Sequence, residues 1–151
     1  MRYCELSQDL QVEFDNVLDS TSLPHWMEIK VIDDIKLKTD LYQVKKANDL
    51  ISFFADSDVN IVIVVSEDTL YELPIEYRAL AFEEMLTGIS VDENDRIKIS
   101  SPDISTFSGM LVKHGNEKVI QLKESVKSIF QQRDEKEKQE KASAKLVKKK
   151  N

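Results

Sequence analysis

The stretch Asn60–Gly88, "NIVIVVSEDTLYELPIEYRALAFEEMLTG", decides the fold. Ile61 to Val65 are β-branched without a polar interruption, so the segment reads as a strand that is apolar on both sides and therefore central in its sheet. Helices should cover it on at least one face. Burying five such side chains contributes about 8–15 kcal/mol gross, before conformational entropy is set against it. After the strand, "EDTLYELP" is a connector with a helical turn, and Pro74 suits the first turn of the next helix. There Ile75, Ala79, Phe82, Leu86 and Ile89 recur at helical steps, which predicts one apolar stripe packed on the sheet.

Upstream, Leu6, Leu10, Phe14, Val17 and Leu18 fall at helical spacing, so Ser7 to about Asp19 reads as an amphipathic helix with Ser7 as its N-cap. "HWMEIKVIDD" alternates around Ile29 and Val31 as a strand does, and "LYQVKKA", Leu41–Ala47, is a second strand candidate. Asn48 suits the cap of a short helix through "DLISFFA". Downstream, Gly88 marks a helix end, and "ISVDENDRIKIS" reads as a hairpin turning at "DEND". Ser101–Pro102 then opens a helix carrying Ile104, Phe107, Met110 and Leu111, which breaks at Gly115. A last apolar pattern, Val119, Leu122, Val126, Ile129 and Phe130, precedes a stretch rich in helix formers, with pairs such as Glu137 and Lys141 four apart.

These elements predict an α+β fold: a small mixed sheet of about three to five strands, the hairpin included, packed by helices. A single domain over residues 1–131 is expected, followed by a charged, basic-ended tail over 132–151. At 151 residues the chain is long enough for one real core and too short for two comfortable ones. No apolar run approaches the roughly 20 residues of a membrane-spanning helix, and the N-terminus lacks a signal-peptide layout, so a cytosolic setting is expected. One cysteine, Cys4, excludes an internal disulfide and a Cys-rich zinc site, and reads as a partly buried residue. The net charge of −7 hides an asymmetry: from Arg133 onward eight basic and four acidic residues make the tail +4, leaving −11 on the rest. An acidic body repels phosphate backbones, so only the tail, through Lys145, Lys148, Lys149 and Lys150, could contact nucleic acid, and weakly. A solubilising role for those lysines is the simpler alternative.

The block Asn60–Gly115 resembles the phage metallopeptidase family, small zincin-like proteins of bacteriophages. The elements that carry the likeness are the strand and link "NIVIVVSEDTLYEL", the helix start "EYRAL", the hairpin "SVDENDRIKI", the helix start "PDISTF" and the ending "KHG", which stand in the family's order and cover about a third of the chain. The resemblance implies a zincin-like core, a zinc-binding His-Glu-x-x-His helix and a bacteriophage source. In this chain that motif is Glu83-Glu84-Met85-Leu86-Thr87. The first family histidine falls on Glu83, the second on Thr87 and the third on Pro102, so only the glutamate, Glu84, is retained.

Zinc needs imidazoles at i and i+4 that point the same way from a helix, a third ligand, and one position left for water. Thr87 is a poor ligand, and Pro102 has no side-chain donor. Glu83, Asp103 and Glu84 could offer oxygens to Mg²⁺ or Ca²⁺, but adjacent glutamates on a helix point about 100° apart and do not converge. "FEEM" therefore reads as an exposed acidic ridge, His114 as a helix C-terminal residue, and His25 as a packed or half-exposed neighbour of a strand start. No catalytic residue, metal or cofactor is expected. The resulting expectation is a non-catalytic, metallopeptidase-like phage protein that binds an unidentified phage or host protein, in the host cytoplasm or the virion. The alternatives are a divergent metal-dependent hydrolase using Glu84 and a nucleic-acid-contacting accessory protein.

Overall fold

The structure, a computed structural model, describes residues 1–48, 58–100, 110 and 113–150. The predicted helix through "DLISFFA" and the helix opening at Ser101–Pro102, with Ile104, Phe107 and Leu111, lie outside the described residues, as do Pro102 and Asp103. In chain order the elements are β1 (Tyr3–Glu5), α1 (Gln8–Asp19), β2 (Ile29–Asp34), β3 (Tyr42–Lys46), β4 (Ile61–Val65), α2 (Glu67–Glu72), α3 (Ile75–Thr87), β5 (Ile89–Val91), β6 (Ile97–Ile99) and α4 (Asn116–Lys150). The fold is α+β, as the patterning predicts.

Four strands form a mixed sheet in the order β1-β2-β4-β3. β4 lies inside it, parallel to β2 and antiparallel to β3. All five of its residues are buried, which is what the uninterrupted β-branched run requires. Ile61, Ile63 and Val65 face the main core with Val31, against Leu10 and Phe14 of α1, Phe82 and Met85 of α3, and Val119, Leu122 and Ile129 of α4. Val62 and Val64 belong with Val59 to a second apolar cluster, joined by Ile32 and Ala47. Phe14 meets Phe82 edge to face, with centroids 5.5 Å apart, which locks α1 onto α3.

Three readings need correction. The hairpin β5–β6 forms its own two-stranded sheet instead of extending the first, and the edge strand β1, too short for a periodic signal, escapes the sequence pattern. In α3 the apolar stripe holds at Phe82, Leu86 and Ile89, which are buried, but not at its start, where Ile75 is 66% exposed and Ala79 is exposed, and the buried face also takes in Leu80, Ala81, Glu84 and Met85. Cys4 is exposed on β1 because its side chain belongs to an edge strand with every residue exposed.

α3 starts after Pro74, whose carbonyl accepts the Tyr77 and Arg78 N–H groups, and stops at Gly88, which keeps right-handed helical angles. Gly115 has φ +83°, and α4 begins immediately after it. A non-glycine residue would be strained there. With 35 residues α4 is about 50 Å long. Contacts tie it to the body as far as Glu137, and every residue from Lys138 to Lys145 is exposed. Among the described residues no helix is long and apolar enough to cross a membrane.

Candidate functional site

Of the positions that the resemblance singles out, Glu83, Glu84 and Thr87 are described, and their two carboxylates do not converge. Glu83 and Glu84 are neighbours on α3 and, as helix geometry demands, their carboxylates leave in different directions. Glu83 accepts hydrogen bonds from Lys113 Nζ at 2.6 Å and pairs with His114 Nε2 at 2.7 Å. Burial pushes its carboxyl upward, but the bonds to Lys113 and His114 outweigh this and hold it below the ordinary carboxylate range. His114 thus does more than end a helix: it ties the segment before α4 to α3. Thr87 returns its hydroxyl to the Glu83 carbonyl at 2.7 Å, the usual i−4 bond of a helical threonine, and touches Met110 Sδ at 3.6 Å.

Glu84 is 1% exposed, which corrects the exposed-ridge reading. It lies on the buried face with Leu80, Ala81 and Met85, one helical turn from each of the first two. Its Oε1 accepts a hydrogen bond from the Tyr42 hydroxyl at 2.8 Å and another from Lys123 Nζ. The carboxylate therefore joins α3 to β3 and to α4. Burial, followed by the charge of Glu84, pushes the Tyr42 hydroxyl far above its ordinary value, so it remains a donor throughout the accessible pH range.

A groove of about 1170 Å³ opens beside this cluster, at the C-terminal ends of the parallel pair β2 and β4, where Asp33, Asp34, Ser66, Glu84, Lys123 and Arg133 line it. Its charges are largely matched within the fold. Asp34 takes a two-pronged bond from Arg2, at 3.0 and 2.9 Å, which holds its carboxyl below the usual range. Glu137 takes Lys38 at 2.7 Å, in place of the expected i,i+4 partner Lys141. Arg133 donates to Thr69 Oγ1 at 2.6 Å and to Glu72 at 2.7 Å. Asp33 is different: burial pushes its carboxyl up, and one hydrogen bond, from the Glu67 N–H at 3.0 Å, only partly offsets that.

Among the described residues no histidine stands beside Ser66 to activate it. Ser66 Oγ is hydrogen-bonded to Thr69 Oγ1, and of the two histidines in the chain His114 is engaged by Glu83 while His25 is exposed beside Trp26. A serine without an adjacent base stays a weak nucleophile. Among the described residues no three His, Cys, Asp or Glu side chains gather as a metal-holding group. Lys145 is exposed on the last part of α4, whose backbone stays helical through Lys148, Lys149 and Lys150. Sequence reasoning missed Tyr42 and Lys123 as partners of Glu84. The available signal was that Leu80, Ala81, Glu84 and Met85 themselves form a helical face, which placed a carboxylate on a core stripe and required a cation nearby.

Comparison with protein-family models, with curated proteins and with solved structures gives no match for this chain.

Proposed function

We propose that this chain is a non-catalytic, metallopeptidase-like protein of bacteriophage origin that works by binding another protein, in the infected cell or in the particle. The observation that carries the reading is the use made of Glu84. A glutamate that activates a metal-bound water must face that water, whereas this one accepts hydrogen bonds from Lys123 and Tyr42 inside the core. An ammonium group in contact with the carboxylate also opposes a cation beside it. Glu83 and Thr87 are likewise committed, to the segment before α4 and to their own helix. The residues at the motif thus serve as struts, and the bacteriophage assignment rests on the resemblance of Asn60–Gly115.

Zinc uptake tests the proposal. After incubation of the purified chain with Zn²⁺ and exhaustive dialysis, bound metal is measured by atomic emission, and a negligible amount is expected. Near-stoichiometric zinc that survives dialysis would overturn the proposal and return the chain to the hydrolases.

A further inference from the structure

The last part of α4 carries a charge pattern that the reading above does not use. Lys138, Lys141, Lys145, Lys148 and Lys149 follow one another at steps of three, four, three and one. At about 100° per residue, those positions fall within an arc of roughly 100° on one face of the helix. The single acid from Lys138 onward, Glu140, has its position outside that arc. Lys138 is engaged by Asp134 at 3.4 Å, which leaves four lysine positions, 141, 145, 148 and 149, as the working set. Lysines that merely complement the helix dipole belong in the final turn, and this row begins well before it.

We propose that this row is a docking face for the phosphate backbone of double-stranded nucleic acid, read without sequence preference. The acidic body is the obvious objection, and distance answers it. Lys145, Lys148 and Lys149 lie about 12–18 Å along the helix beyond Glu137, the last anchored residue, whereas the Debye length at physiological salt is about 8 Å. The helix therefore carries Lys145, Lys148 and Lys149 out of the body's negative field, with Lys141, about 6 Å beyond Glu137, at its edge. The row from Lys138 to Lys149 spans about 16 Å, along which a duplex presents on the order of ten phosphate charges. On the described body Asp34, Glu13, Glu72, Glu83, Glu84 and Glu137 are already in ion pairs, so a second copy of the chain is the weaker complement. An anionic membrane is disfavoured as well. Insertion needs a wide apolar face opposite the basic one, and this segment offers Leu146 and Val147 at positions about 100° apart, with two alanines.

The test is fluorescence anisotropy of a labelled 20-base-pair duplex of arbitrary sequence with the full chain, at 50 and 200 mM NaCl. Neutralising four phosphates gives a salt slope of about −3.6, hence roughly 150-fold weaker binding at the higher salt. Lys141→Gln with Lys145→Gln should reduce that salt effect to about 12-fold and weaken binding at 50 mM by at least about tenfold. Lys136→Gln with Lys150→Gln removes the same charge from positions off the arc and should leave the slope unchanged. Equal losses in the two double variants would overturn the proposal. So would absence of binding at 50 mM, tighter binding to phosphatidylserine vesicles than to duplex, or self-association in sedimentation that Lys141→Gln with Lys145→Gln abolishes. The inference is independent of the protein-binding reading, whose test is metal uptake.

Discussion

Glu84→Gln separates a strut from a vestige of catalysis. The amide keeps an oxygen facing Tyr42 and Lys123 but removes the charge, converting a charge-assisted hydrogen bond to Lys123 into a neutral-acceptor one. That conversion costs about 1–2 kcal/mol, because the carboxylate is buried while the Lys123 side chain is 35% exposed and its ammonium partly solvated. For a chain of this length the loss corresponds to about 2–8 °C in Tm. Lys123→Met should be worse, about 3 kcal/mol, since it leaves a buried carboxylate without its ammonium. The double variant should lie above the sum of the singles, with a coupling of about 1–2 kcal/mol in urea unfolding followed by circular dichroism at pH 7. A glutamate kept for catalysis behaves oppositely, since its neutralisation leaves stability unchanged or raises it. Coupling within about 0.3 kcal/mol of zero, or a Glu84→Gln melting curve that overlays the parent, would refute the strut.

Asp33→Asn should raise Tm at pH 7 by about a degree or two, because the folded chain holds the ionised carboxylate against its burial. The gain should vanish near pH 3, where both side chains are neutral. Asp34, Glu83 and Glu137 have folded values below those of the free carboxylates, so their contribution is present above about pH 4 and fades as pH falls through the lowered values. A thermal midpoint that stays flat from pH 5 to pH 2.5 would contradict these pairs. Deleting residues 138–151 should leave the cooperative melt intact and remove helical ellipticity, whereas deleting from Arg133 onward also removes the bonds to Thr69 and Glu72 and should lower Tm measurably.

Strand β4 was legible because five β-branched residues leave few alternatives, and the break at Gly115 was legible because glycine alone takes its positive φ without strain, whereas Gly88 ends α3 with right-handed angles open to any residue. The face of α3 was legible only in part. Phe82, Leu86 and Ile89 fall on the predicted stripe and are buried, but the spacing did not extend that face to Leu80, Ala81, Glu84 and Met85. The long-range partners Tyr42 and Lys123, 42 and 39 positions away, help make the Glu84 carboxylate tolerable in the core. Periodicity is a local property and contains no information on such partners. The same holds for Lys113 and His114 at Glu83, and for Arg2 at Asp34, 32 positions away. A pattern of two can scarcely register a strand of three residues, and this hid β1.

That small strand has a consequence out of proportion to its length. β1 pairs with Ile32, Asp33 and Asp34 and so takes up the outer hydrogen-bonding rim over the second half of a longer ribbon, Ile29–Asp34. It presents to solvent a boundary only three residues long, with Arg2 clasped to Asp34 at one end and Glu5 within 4.0 Å of Lys30 at the other. A boundary so brief and so charged is a poor template for a strand from another molecule. Trimming the first five residues would uncover the rim of Ile32, Asp33 and Asp34 and leave the whole length of β2 as an open edge, so that a chain folded as before would nonetheless be more disposed to pair with its neighbours.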